Sequence, residues 1–172
     1  EHGKPVRATS VVVSTQHAAE FDQEQVREIV RPHVLNVLPA GWNLISFNVD
    51  PTNPRIDHAL ASIQGSYSLV RAYDHNTFFS YLPALPVEFN DLQTMNAKQG
   101  YWIYMTKPDT LVVEGAPTNP GAAIDMTTGW NLIGYLPMTP MAPATALATI
   151  NGSYSLARGY EAGAGYRTYY PS

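Results

Sequence analysis

A tyrosine–arginine–tyrosine stripe occurs twice in this chain, as Tyr67, Leu69, Arg71, Tyr73 and again as Tyr154, Leu156, Arg158, Tyr160. Spacing by two places each set on one face of a strand. Ser68, Val70 and Ala72 then take the other face in the first copy, and Ser155, Ala157 and Gly159 in the second. An arginine between tyrosines can stack on a ring by cation–π attraction and still offer its fork to a carboxylate or a sugar hydroxyl. Tyr67, Arg71, Tyr73, Tyr154, Arg158 and Tyr160 are therefore the candidate ligand-binding residues. Interior packing is the competing explanation, because aromatics at such spacing fill a core while the arginine head reaches water.

Other chemistry finds no foothold. The five histidines, His2, His17, His33, His58 and His75, lack the paired spacing of a metal site. Gly65-Ser66-Tyr67-Ser68 is not a nucleophile elbow. Gly163-Ala164-Gly165 lacks the third glycine and the strand-to-helix setting of a nucleotide loop, and reads as a hairpin turn. No pair of carboxylates recurs in both copies, which leaves glycosidase-type acid–base catalysis without candidates. The expectation is no catalytic residue, no metal and no cofactor.

Charged residues make up 14% of the 172 positions, against roughly a quarter in an average soluble domain. Tyrosine, proline and glycine replace them, which suits short strands joined by turns. The net charge is −4, without a Lys/Arg cluster, so nothing neutralises a phosphate backbone and nucleic acid is not an expected partner. Cysteine is absent, which removes disulfides and thiolate metal sites. Apolar runs such as Val11-Val12-Val13 are too short for a membrane-spanning helix, and Glu1-His2-Gly3-Lys4-Pro5 is not a signal peptide.

The stripe belongs to a longer internal repeat. Ala59-Leu60-Ala61-Ser62-Ile63-Gln64-Gly65-Ser66-Tyr67-Ser68-Leu69 returns as Ala146-Leu147-Ala148-Thr149-Ile150-Asn151-Gly152-Ser153-Tyr154-Ser155-Leu156. Gly41-Trp42-Asn43-Leu44-Ile45 returns as Gly129-Trp130-Asn131-Leu132-Ile133, and Phe78 to Pro83 returns as Tyr166 to Pro171. Repetition of this kind marks tandem modules, with Trp42 and Trp130 as equivalent buried anchors. Within the first module, strands are predicted over Trp42–Val49, Tyr67–Tyr73, Thr77–Tyr81, Gly100–Thr106 and Thr110–Val113. A short helix is predicted over Ile56–Ile63 after Asn53-Pro54, and a helix or turn at Asn90-Asp91-Leu92. Residues 118–172 contain no counterpart of Gly100–Thr106 or Leu111–Val113, so the second sheet should have an open edge.

The first forty residues read differently. Val6–Ser14 is β-branched and predicted as a strand. Asp22 and Gln25 resemble a capping box, and Val26, Ile29, Val30, His33, Val34 and Val37 follow at helical spacing, interrupted by Pro32. Val6–Ser14 is expected to cover the open edge of the second module or to pair with a neighbouring chain.

Gly3-Lys4-Pro5-Val6-Arg7, Ser10-Val11-Val12-Val13-Ser14-Thr15-Gln16-His17 and the run from Asp22 to Trp42 closely resemble a fragment of the S-adenosylmethionine synthetase central domain. The resemblance covers residues 3–42. The Asn-Pro-Thr-Gly segment and Gly-Gly-Pro loop that the family places next do not follow; Trp42 runs instead into Asn43-Leu44-Ile45 of the repeat. The resemblance therefore implies a scaffold piece without the ATP or methionine ligands. Residues 41–172 resemble a Gly-Trp-Asn-Leu-Ile module repeated in secreted or surface bacterial and archaeal proteins, which implies location and a non-enzymatic role.

The expected fold is α+β and strand-rich: a strand-helix leader over residues 1–40, a repeat module over 41–117, and an incomplete one over 118–172. The expected function is a non-catalytic extracellular or surface module acting as spacer, assembly or adhesion unit. The alternatives are a carbohydrate- or peptide-binding module, or a synthetase-related fragment without activity. Expected partners are a glycan or another protein chain at the open sheet edge, with oligomerisation compatible, and no membrane span. The location follows the function: outside the cell for the module, cytoplasmic if the leader reflects the origin.

Overall fold

The architecture was taken from a computed structural model, which describes residues 6–9, 15–18 and 33–171. It is α+β and rich in antiparallel strands. The strands are β1 (Val6–Thr9), β2 (Thr15–Ala18), β3 (His33–Leu38), β4 (Gly41–Ile45), β5 (Val49–Pro51), β6 (Tyr67–Asp74), β7 (Thr77–Tyr81), β8 (Tyr101–Met105), β9 (Asp109–Pro117), β10 (Ala157–Glu161) and β11 (Gly165–Tyr169). Two helical turns, α1 (Ile56–Ala59) and α2 (Pro143–Ala146), each run on into a 3-10 turn, Ala61–Ile63 and Ala148–Ile150. One sheet has the order β1-β2-β3-β9-β5, a second β4-β8-β6-β7, and β10-β11 is a hairpin.

The core lies between the inner face of the β4-β8-β6-β7 sheet and the inward residues of β9. Ile45, Phe47, Tyr101, Ile103, Met105, Val70, Leu111 and Val113 are essentially inaccessible there, closed from one end by Ile56, Leu60 and Ile63. Phe47 stacks on Tyr101 at 6.0 Å between ring centres. The Ser62 hydroxyl accepts a hydrogen bond from the Val112 N–H at 2.8 Å, tying the 3-10 turn to β9. The β6–β7 hairpin turns through His75 and Asn76, both with positive φ (46° and 60°), the geometry that matches the strand twist.

The structure corrects several expectations. His33, Val34 and Val37 lie in strand β3, not in a helix; β3 runs antiparallel to β9 from His33↔Glu114 to Leu38↔Asp109. Its valines suit a pleated surface. Val26, Ile29 and Val30 of the same stripe lie outside the described residues. Of Val6–Ser14, residues 10–14 lie outside them too, and Val6–Thr9 pairs with Thr15–Ala18 rather than with the second repeat. Pairing two segments so near in sequence costs less entropy than reaching a distant edge. The strand predicted over Trp42–Val49 is interrupted at Ser46, Phe47 and Asn48, which turn into the core and are all buried.

Trp42 and Trp130 are equivalent but not buried: they are 39% and 54% exposed. For Trp42 the register explains this. Gly41, Asn43 and Ile45 face Met105, Ile103 and Tyr101 on the core side, leaving Trp42 opposite Tyr104 and Leu44 opposite Trp102 on the outer face. Leu44 is nevertheless inaccessible, because β10 of the second repeat packs beside β4.

Candidate functional site

Each repeat builds the same local scaffold before placing its chemistry. Gly41 and Gly129 adopt φ of +95° and +102°, a region that a side chain makes costly. In that turn the Asn43 amide donates to the carbonyls of Pro39 and Gly41 at 2.9 and 3.0 Å. The Asn131 amide donates to those of Thr127 and Gly129 at 2.8 and 3.1 Å. The repeated Ala-Leu-Ala segment folds alike in both copies, with Ala59 N–H bonded to Arg55 O and Ala146 N–H to Ala142 O at 2.8 and 3.0 Å.

The candidate residues are divided by a β-bulge. In β6, Tyr67 faces Met105 while Leu69 faces Tyr104, so the register slips between them. The slip turns Tyr67 into the core together with Val70 and Ala72, and burial raises its phenol pKa above the ordinary value. Leu69, Arg71 and Tyr73 stay on the outer face. The four residues of the first stripe therefore do not share a face, because an unpaired extra residue reverses the alternation.

Arg71 lies with its guanidinium 5.8 Å from the Phe78 ring. The second repeat reproduces this pair with Arg158 5.9 Å from Tyr166, and adds Trp130 at 5.7 Å. Both are diagonal cross-strand neighbours in their hairpins, since Tyr73 faces Phe78 and Tyr160 faces Tyr166. Tyr160 packs edge-on against Trp102 of the first repeat at 4.9 Å and against Tyr166 at 5.3 Å. The outer faces of the two repeats thus meet through aromatic rings. Tyr154 is half-buried beside Tyr169, and desolvation followed by that neighbour raises its phenol pKa.

A cleft of about 340 Å³ opens where the faces meet, walled by Tyr73, Phe78, Trp102, Trp130, Arg158 and Tyr166, with Asn131 and Leu132 at its base. It brings together Tyr73 and Arg158 of the candidates; Tyr160 stands behind it on Trp102, and Tyr67 is excluded. Arg158 Nε is buried without a hydrogen-bond partner, and no ion pair forms at Arg158 among the described residues. Trp102, Trp130, Phe78 and Tyr166 were not legible as cleft residues from the stripe alone. The signal was the aromatic diagonal to each arginine across its hairpin turn.

The seat of the second repeat combines backbone bonds with one from the Gln99 side chain. Gly134 N–H donates to Lys98 O at 2.8 Å, Gly100 N–H to Leu132 O at 3.3 Å, and the Gln99 amide to Leu132 O at 2.8 Å. Among the described residues there is no cluster of His, Asp or Glu that could hold a metal, and no helix long and apolar enough to cross a membrane.

Part of this chain has known relatives. It is 64% identical over 52 residues to S-adenosylmethionine synthase 2 of Rhodospirillum rubrum, covering 29% of this chain and 13% of that protein. The S-adenosylmethionine synthases of Rhodospirillum centenum and Paramagnetospirillum magneticum are each 62% identical over 52 residues, again 13% of their length. The chain therefore spans about an eighth of the length of these curated relatives. No family model matches the chain, and no solved structure does. These findings overturn the expectation of a surface spacer, assembly or adhesion module: the relatives are synthases, and nothing supports an extracellular repeat protein. The physical reason is that an aromatic, charge-poor repeat records how strands pack, and carries no information about compartment.

Proposed function

We propose that the chain is a fragment related to S-adenosylmethionine synthase that has no synthase activity and works as a non-catalytic scaffold. The observation that supports this most directly is the coverage: the match spans only 13% of the relatives. Residues 33–38, inside the synthase-like stretch, are moreover committed to the β3–β9 ladder. Phosphoryl chemistry depends on preorganised cations and a phosphate-cradling backbone, and after Pro39 the sequence turns into the repeat instead. The strands at 6–9, 15–18 and 33–38 then extend the sheet that β9 joins, and 118–172 carry the second copy of the repeat. On this reading the location is that of the leader's source, the cytoplasm. Arg71, Tyr73, Arg158 and Tyr160 contact a partner rather than a reacting group.

The test is incubation with ATP, methionine and Mg²⁺, followed by chromatography for S-adenosylmethionine and calorimetry with Mg-ATP. No product and no saturable heat are expected. Turnover above a no-protein control, or saturable ATP binding, refutes the reading.

A further inference from the structure

Two arginines occupy equivalent places in the repeats, yet their surroundings differ. Arg71 is exposed and leans on the Phe78 ring. Arg158 is half-buried between two rings, Trp130 and Tyr166, and its Nε is shielded from solvent with no hydrogen-bond partner among the described residues. A guanidinium N–H withdrawn from water costs free energy until an acceptor reaches it. The acids that end the two strands are turned elsewhere: Glu161 Oε2 is 2.6 Å from Arg167 Nη2, and Asp74 Oδ1 is 2.8 Å from His75 Nδ1.

The cleft beside Arg158 is otherwise aromatic. Phe78, Trp130 and Tyr166, three of its walls, are 54%, 54% and 60% exposed. Exposed rings gathered around one concavity mark a binding site more than ordinary surface packing. Neighbouring rings brace one another at an angle, Tyr73 and Phe78 at 4.7 Å and 57°, Trp102 and Tyr166 at 6.1 Å and 69°, which keeps the space from closing. At about 340 Å³ the cleft lies at the lower end of small-molecule sites, roughly 300–1,000 Å³, enough for one or two fused rings and a short polar group. The adjoining recess, lined by Asp74, His75, Lys98 and Asp125, carries charges of both signs, so Arg158 is the cation on the aromatic side.

We propose that this cleft binds a small aromatic carboxylate. The ligand ring packs among Trp130, Tyr73 and Phe78. Its carboxylate accepts from Arg158 Nε and a terminal N–H as a bidentate pair, while the guanidinium keeps its cation–π contacts with Trp130 and Tyr166. An uncharged ring leaves Nε unpaired, and a small inorganic anion leaves the walls wet. A ligand with both parts satisfies both. The proposal deepens the reading that Tyr73 and Arg158 contact a partner, and its outcome is distinct from the synthase assay: carboxylate binding is read without ATP or methionine.

The experiment titrates the 172-residue chain with naphthalene-2-carboxylate, read by calorimetry and tryptophan fluorescence. Saturable one-to-one binding is expected, with a Kd of about 1 mM or tighter, ordinary for a ligand of this size. Uncharged naphthalene-2-methanol should bind at least about tenfold more weakly, and acetate and inorganic phosphate should not saturate below about 10 mM. Arg158→Gln should weaken naphthoate at least about tenfold and Tyr166→Ala about threefold or more. Arg71→Gln, outside the cleft, should change it less than about twofold. No saturation by about 10 mM overturns the proposal. So does equal binding of the alcohol, which marks a merely apolar surface, or of phosphate, which marks a bare cation. An equal loss from Arg71→Gln places the ligand elsewhere and overturns it too. A peptide ending in phenylalanine with a free carboxylate is the last arm: tighter binding than naphthoate assigns the cleft to a chain end and overturns the small-molecule reading. If Arg158→Gln fails to fold, the ligand series on the unaltered chain decides.

Discussion

The close approach at Gly134 offers the sharpest test of how the two repeats are joined. A Cβ built there falls 1.9 Å from the Ala97 carbonyl oxygen and 3.0 Å from its carbon, so the obstacle is backbone and cannot rotate away. Ordinary contact begins at 3.4 Å, so Gly134→Ala must push the segment back by about 1.5 Å, more than a packed interior absorbs. That displacement removes the Gly134 N–H bond to Lys98 O and loosens the Gly100–Leu132 bond beside it. It also unseats Leu132, Ile133, Tyr135 and Leu136, which are between 3% and 7% exposed. Overpacking costs about 1–3 kcal/mol and each lost hydrogen bond about 1 kcal/mol. The smaller entropy of the unfolded alanine chain returns about 0.4–1 kcal/mol. The net expectation is a loss of about 2–4 kcal/mol, or a fall in melting temperature of roughly 5–12 °C for a chain of this size. Gly152→Ala is the comparison, because space there is open and only a φ of +79° is strained; it should cost about 1 kcal/mol. Thermal and urea unfolding followed by circular dichroism measure both. Equal costs for the two variants, or a shift under about 2 °C for Gly134→Ala, refute the seat described above.

Other expectations follow from the same geometry. Asn43→Ala should destabilise the chain by about 1–2 kcal/mol, because Asn43 is 3% exposed and its amide satisfies two carbonyls. Asn131→Ala, half-buried with the same bonds, should cost less, and urea melts of the two variants rank them. Leu44→Ala should cost about 2–4 kcal/mol despite facing away from the main core. A cost below about 1 kcal/mol in the same melts shows that the second repeat does not cover that face.

Much of the fold was readable because its signals are local. The β6–β7 hairpin, the helical turn after Asn53-Pro54 and the strand at Gly100–Thr106 stand where residue type and turn chemistry put them. Three features were not readable, and each depends on a partner remote in sequence. His33–Leu38 has apolar residues at helical spacing, and its pairing with β9 and β2 makes it a strand. The stripe at Tyr67 obeys alternation until the bulge opposite β8 reverses it. Trp42 and Trp130 have core composition, yet both stand about half in water; for Trp42 the register to β8 puts it on the outer face, where a second layer covers Leu44. Of the stripe, Arg158 and Tyr73 line the cleft, while the cleft's other aromatics depended on how two hairpins face one another.

The two repeats separate these influences within one molecule. Where the determinants are local, the copies agree: Gly65 and Gly152 share a φ of +79°, and the paired asparagines close the same turn. Where order depends on a neighbouring strand, they diverge, and Gly-Trp-Asn-Leu-Ile is a strand in one copy and irregular in the other. Near-identical residues cannot account for that difference by propensity. The remaining variable is β8, which supplies the hydrogen-bond partners that an isolated extended segment lacks.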